Sequence, residues 1–184
     1  GTVWCWGHNA KGQLGNNSTM DSSIPIEATQ FGGVADDVAL SQLTTCALLM
    51  DKTVACVGDG SEGRLGNGAN SDSQLAVAVS GLTNVAQLVA GDYHFCARKT
   101  DNTLWCWGMG YYGQLGQNST ASSNVPVQMK DIDGTGVFTQ VSDVAIGGYH
   151  TCFVNNAQAY CVGLNSHGQL GDGTTINKLS PPGN

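Results

Sequence analysis

The sequence predicts an all-β fold, a partial β-propeller of about three and a half four-stranded blades with disulfides inside its hairpins. Three observations predict it. Gly supplies 26 of the 184 residues while charged residues are only 11%. That composition suits turns and short strands rather than the Ala-, Leu-, Glu- and Lys-rich faces of a helix bundle. A glycine-rich motif then recurs as Gly7-x4-Gly12-Gln13-Leu14-Gly15, Gly58-x4-Gly63-Arg64-Leu65-Gly66, Gly108-x4-Gly113-Gln114-Leu115-Gly116 and Gly163-x4-Gly168-Gln169-Leu170-Gly171. Its last glycines lie 51, 50 and 55 residues apart, and a fixed period of this size marks a repeat architecture. Finally, cysteines stand at matching places on either side of the turns.

The elements follow in order. Val3-Trp4-Cys5-Trp6-Gly7 is a short strand running into the first motif, and a Ser/Thr/Asn tract follows. Thr45-Cys46-Ala47-Leu48-Leu49 and Val54-Ala55-Cys56-Val57-Gly58 form a hairpin about the turn formers Asp51-Lys52-Thr53. Phe95-Cys96-Ala97-Arg98 and Leu104-Trp105-Cys106-Trp107-Gly108 repeat it about Asp101-Asn102-Thr103. Thr151-Cys152-Phe153-Val154 and Ala159-Tyr160-Cys161-Val162-Gly163 repeat it about Asn155-Asn156. Further strands are expected at residues 85–89 and 125–128, and about four strands per 50 residues make one propeller blade. The expected organisation is a single domain with a half unit at 1–38 and repeats at about 39–85, 86–141 and 142–184. The tail Asn177 to Asn184 is expected to start a further unit. The chain opens at Gly1 inside the motif, as a mature product or an excerpt of a longer chain would.

Cys46 and Cys56 lie symmetrically about Asp51, and Cys96 and Cys106 about Asp101; Cys152 and Cys161 flank a hairpin one residue tighter. Symmetric hairpin positions face each other within disulfide range, so three intra-hairpin disulfides are expected. The same spacing would also set two free thiols side by side, so reduced core cysteines stay open. Zinc is disfavoured, because C-x2-4-C spacing never occurs. Cys5 is left over, its partner expected some ten residues earlier. Disulfides would place the protein outside the cytosol.

The formal charge is −7, and the longest basic cluster is the pair Arg98–Lys99. A nucleic-acid partner or an anionic membrane surface needs a basic footprint, and no apolar run approaches the length of a membrane span. Neither nucleic acid nor membrane insertion is expected.

At this point the chain resembles the regulator of chromosome condensation repeat family. Gly91-Asp92-Tyr93-His94-Phe95-Cys96-Ala97 and Gly148-Tyr149-His150-Thr151-Cys152 match the first half of its repeat. Residues 6–15, Trp-Gly-His-Asn-Ala-Lys-Gly-Gln-Leu-Gly, match the second. The cysteine-bearing form resembles the bacterial, secreted branch. The resemblance implies a seven-bladed propeller of roughly 350 residues, of which this chain would be half. An open arc exposes strand edges. It is therefore expected to be either an excerpt of a larger propeller, the preferred reading, or an arc completed by neighbouring copies.

Several motifs look catalytic. Gly58-Asp59-Gly60-Ser61-Glu62-Gly63 and Gly108-Met109-Gly110-Tyr111-Tyr112-Gly113 both spell G-x-G-x-x-G. A dinucleotide site needs a helix next, whereas Leu-Gly and a polar tract follow, so a plain loop is expected. A P-loop would need Lys and Ser/Thr where Gln or Arg and Leu stand. His94 and His150 are equivalent, with Thr44 in their place in the first hairpin, which favours a hydrogen-bonding role over catalysis. Asp131 and Asp133, in an insertion, are the only metal candidates. They have the Asp/Gly character of a calcium loop but lack its later ligands, so a surface insertion is the expected reading. Asn16, Asn17 and Asn118 satisfy the N-glycosylation pattern.

What remains is variable loops on a rigid frame, where binding normally lives. His8, Met109, Tyr111 and Tyr112 are the residues least like a solvated turn, and packing on a neighbouring blade is the alternative for them. The expected function is a non-enzymatic extracellular or cell-envelope scaffold that binds a protein or glycan and needs no cofactor. A subunit of a surface fibre, self-associating through open sheet edges, is one alternative. The family adds another, a regulatory propeller acting as an exchange factor or as a secreted β-lactamase inhibitor.

Overall fold

A computed structural model describes residues 1–32, 34–132 and 134–181. Thirteen strands form four antiparallel sheets within them. The first sheet pairs β1 (Trp4–Gly7) with β2 (Ser22–Glu27). The second is a meander of β3 (Ala35–Leu40), β4 (Thr44–Leu49), β5 (Val54–Gly58) and β6 (Ser73–Ala78). The third repeats it with β7 (Val85–Ala90), β8 (His94–Lys99), β9 (Leu104–Gly108) and β10 (Ser123–Gln128). The fourth holds β11 (Val141–Ile146), β12 (His150–Asn155) and β13 (Gln158–Gly163).

A bridge from Gly163 to Lys178 closes the fourth sheet. It stands where Gly7, Gly58 and Gly108 pair with Ser22, Ser73 and Ser123. This corrects the expectation for the tail from Asn177: its described part finishes the fourth sheet instead of starting another unit. By the same register β1 and β2 are the third and fourth strands of their unit. First strands of successive sheets approach one another, β3 with β7 and β7 with β11, so they lie innermost in the arc.

The hairpin turns explain the cysteine spacing. In the second and third sheets the turn is Met50-Asp51-Lys52 or Thr100-Asp101-Asn102, with Lys52 and Asn102 at positive φ. Leu49 N donates to Thr53 O and Lys99 N to Thr103 O, both at 2.9 Å. This is the three-residue hairpin loop that ends in a left-handed residue. In the fourth sheet only Asn156 and Ala157 intervene, both at positive φ, which is the two-residue alternative. Each turn brings the cysteines directly opposite. Cys46–Cys56, Cys96–Cys106 and Cys152–Cys161 are disulfides with Cα atoms 4.1 Å apart, and Cys5 is a half-buried free thiol.

The core lies between sheets. Leu65, Val79, Val85, Phe95 and Trp107 pack the second sheet on the third. Leu115, Met129, Val144, Phe153 and Val162 pack the third on the fourth. Phe138, beyond the insertion, adds an edge contact to Phe153 and a tilted one to Tyr160.

Candidate binding face

In an antiparallel meander, the loop between the first two strands and the loop after the third reach the same end. Backbone bonds tie them there: Asp59 N donates to Leu43 O, Met109 N to Tyr93 O and Leu164 N to Tyr149 O, each at 2.9 Å. Neighbouring units are joined across this end as well, by Gln42 N to Asp92 O and Asp92 N to Gly148 O. The glycine-rich motifs shape the surface. Gly63 and Gly113 have positive φ, and a Cβ on either would meet the backbone of the next sheet, at Asn124 or Leu179, within 2.7 Å. The glycines therefore permit close packing of one sheet on the next. Among the described residues no α-helix follows either G-x-G-x-x-G, and the first holds only a 3-10 turn at Ser61–Gly63, as the loop reading requires.

A chain of side chains crosses three sheets on this face. Tyr93 stacks on Tyr149 with centroids 5.4 Å apart, and Tyr112 meets Tyr149 edge-on at 5.3 Å. The Arg64 guanidinium lies 4.7 Å from the Tyr93 ring centroid and pairs with Asp59 at 2.5 Å, both side chains buried. Tyr93 Oη donates to Gln42 at 2.7 Å. Burial, then the hydrogen bond with Tyr93, raises the Tyr149 phenol pKa. Arg64 reaches this place because it replaces glutamine. Gln13, Gln114 and Gln169 fold back to accept from the backbone N–H two residues earlier, which a guanidinium has no acceptor to do.

Of the residues expected in a binding loop, Tyr112 belongs to this cluster and Met109 reaches it through its backbone. Tyr111 is exposed and donates to Glu62 at 2.6 Å; Ser122 donates to the other Glu62 oxygen at 2.8 Å. These bonds, Tyr111's first, hold the Glu62 carboxyl below its ordinary pKa. His8 stands apart, 3.2 Å from Asp21. Sequence reasoning missed Arg64, Tyr93 and Tyr149. Two signals were available: the arginine in a motif that elsewhere has glutamine, and tyrosine immediately before each of His94 and His150.

The remaining candidates have structural surroundings. His94 is buried and uncharged, its pKa lowered to about 3 chiefly by burial. Thr151 Oγ1 donates to Gln114 O at 2.9 Å, so its contact with His94 Nε2 at 2.8 Å must be donated by the imidazole, leaving Nδ1 unprotonated. Asp131 accepts from Thr135 N at 3.2 Å, and Asp133 lies outside the described residues. Among the described residues no group of three or more His, Cys, Asp or Glu is placed to hold a metal. Asn17 and Asn118 are exposed and left-handed, and Gly68 and Gly173 hold the equivalent left-handed places. Turn geometry thus accounts for both asparagines. Asn16 is half-buried beside Asn9.

Comparisons with known proteins agree with this fold. A model of the regulator of chromosome condensation (RCC1) repeat matches residues 1–48 and 101–154, and a second model of that repeat matches 85–114. The human E3 ubiquitin-protein ligase HERC2 is 32% identical over 99% of this chain, which covers 4% of HERC2. The ultraviolet-B receptor UVR8 of Arabidopsis thaliana is 28% identical over 98% of the chain and 41% of the receptor. Human WBSCR16 superposes with a TM-score of 0.82 at 22% identity, covering 98% of this chain and 48% of that one. Yeast RCC1 (Prp20), solved bound to Kap60, gives 0.77 at 17%, covering 99% and 45%. The chain spans less than half the length of each.

Proposed function

The chain belongs to the RCC1 repeat family, and from that premise we propose that it is a non-enzymatic scaffold that binds a protein through the loop end of its arc. The observation that carries this is the cluster of Arg64, Tyr93, Tyr149 and Tyr112, assembled from three sheets, with Arg64 buried beneath three half-exposed tyrosines. Tyrosine is enriched in protein-binding hot spots because it offers large contact area at low entropic cost, and the buried Arg64 holds Tyr93 in place. A protein fits better than a glycan. Tyr93 is engaged by Arg64 and Tyr149, and Tyr149 by Tyr112 in turn, so ring faces on which a sugar would stack are already occupied. Yeast RCC1 is solved with a protein partner, and only that class of ligand is carried over. The acidic balance of the chain, with Glu62 and Asp92 at this end, favours a partner with a basic surface. The disulfides support an oxidising compartment.

Selection from a displayed library of protein domains tests the reading. Binders of the wild-type chain should lose at least tenfold in affinity to Tyr112→Ala and Tyr149→Ala, and keep it for Asp101→Ala at the opposite end. Binders insensitive to both tyrosines, a preference for glycans on an array, or turnover of an ester or glycoside would overturn it.

A further inference from the structure

Residue 62 departs from the repeat in its backbone. Lys11, Tyr112 and His167 hold the same place in the other motifs, and their N–H groups donate to the side chains of Gln13, Gln114 and Gln169. Glu62 alone of the four has positive φ, at 58°, an uncommon conformation for such a residue. Arginine in place of glutamine explains the difference. Arg64 offers the Glu62 N–H no acceptor, so the peptide is released to turn. The exchange that seats a guanidinium under Tyr93 thus also re-aims its neighbour.

The re-aimed carboxylate bridges two sheets. Tyr111 Oη donates to one Glu62 oxygen and Ser122 Oγ to the other, and each oxygen keeps accepting capacity beyond that bond. Among the described residues no cation pairs with Glu62. Lys11 is taken by Asp72 at 2.6 Å and Arg64 by Asp59 at 2.5 Å. Beside the carboxylate lies a cavity of about 440 Å³ between the second and third sheets, lined by Ser61, Glu62, Asn70, Ser122, Ser123 and Asn124. Every lining residue is polar, and one is charged.

We propose that this cavity is a socket for an arginine side chain of the protein bound at the loop end, with Glu62 as its counter-ion, an assignment that rests on the binding role of that face. Two N–H groups of a guanidinium donate in parallel to the two Glu62 oxygens, which Tyr111 and Ser122 hold in place. The Asn124 amide donates to Gly68 O at 2.8 Å, which leaves its side-chain oxygen to accept a further N–H. Lysine brings a point charge without the fork. A divalent cation needs more charged oxygens than the single carboxylate of this cavity supplies.

The test titrates the isotope-labelled chain with acetyl-Gly-Arg-Gly-amide and follows the amide signals of residues 61–62, 70 and 122–124. Citrulline, an uncharged isostere, and lysine in the same place are the controls. The arginine peptide should saturate those signals about fivefold more tightly than either control, as a bidentate charged pair half-open to water allows. Glu62→Gln, its fold checked by the rest of the same spectrum, should erase that preference. Equal affinity for the three peptides, saturation at other residues, or an unchanged preference in Glu62→Gln would overturn the socket. The two readings fail separately. A selected domain that loses affinity to Tyr149→Ala but not to Glu62→Gln overturns the socket and leaves the binding face standing. Arginine preference at Glu62 beside domains blind to both tyrosines would overturn the face and keep the arginine site.

Discussion

At the residue scale, one substitution shows how the repeat keeps its joints satisfied. Thr45 Oγ1 donates to Gln13 O at 2.7 Å and Thr151 Oγ1 to Gln114 O at 2.9 Å, each hydroxyl bonding a motif carbonyl of the preceding unit. At the joint between them Phe95 stands in the threonine position and offers no hydroxyl. Its cross-strand partner supplies the donor instead, Trp107 Nε1 to Arg64 O at 2.9 Å, where the other hairpins pair threonine with Val57 or Val162. Trp107→Phe keeps most of the volume and strands the carbonyl. It should cost about 1–3 kcal/mol, the penalty of one buried unpaired polar group, read by denaturant unfolding; an unchanged midpoint would refute the role. His94 makes a second residue-scale prediction. An imidazole titrates near 6.5 when unfolded and near 3 in this fold. Below 6.5 the unfolded chain therefore holds more protons, so the contribution is complete above about pH 6.5 and is lost as pH falls toward 3. Burial lowers His150 in the same direction. The carboxylates with lowered pKa, Asp51, Asp101 and Asp172 among them, act in a more acidic window, below their unfolded value near 4. Unfolding free energy should drop by about 2–3 kcal/mol between pH 7 and 4.5, and His94→Gln should remove most of that slope. A flat wild-type profile would contradict the assignment.

At the element scale the glycine-rich loops come in two kinds. Asn9 and Asn165 hold theirs through side-chain amides: each donates to backbone carbonyls of the returning segment and accepts from Leu14 N or Leu170 N at 2.9 Å. Gly60 and Gly110 occupy the same place, and there the returning backbone closes onto the glycine. A Cβ on Gly60 would lie 2.0 Å from Ser71 O, and on Gly110 2.1 Å from Ala121 O. The second glycine of each G-x-G-x-x-G is therefore a packing contact. Gly60→Asn cannot recover the amide anchor, because backbone fills its space, and should destabilise by roughly 1–3 kcal/mol as overpacking does. A neutral or stabilising Gly60→Asn in thermal unfolding would show that the loop can open instead. The hairpins were legible because Cys, turn formers and Gly recur in register around Asp51 and Asp101. Strands β2, β3 and β6 were not individually legible, since mostly exposed runs such as Ser22–Glu27 and Ser73–Ala78 lack the alternation that marks a half-buried strand.

At the scale of the whole molecule, the arc brings together residues that no local window contains. Arg64, Tyr93 and Tyr149 come from three repeats and meet only because the sheets stack about one axis. The period announced the fold, but the cluster joins a residue that breaks the repeat, Arg64, to tyrosines that keep it, Tyr93 and Tyr149, and a search for shared motifs shows neither the exception nor that the three meet. Hydrogen exchange on the chain bound to the first protein domain recovered by selection is the most direct test of the binding face. The account predicts protection at residues 41–43, 59–64, 91–93, 109–114 and 147–149, with the hairpin turns at 50–53, 100–103 and 155–158 unchanged. Protection confined to those turns would contradict it.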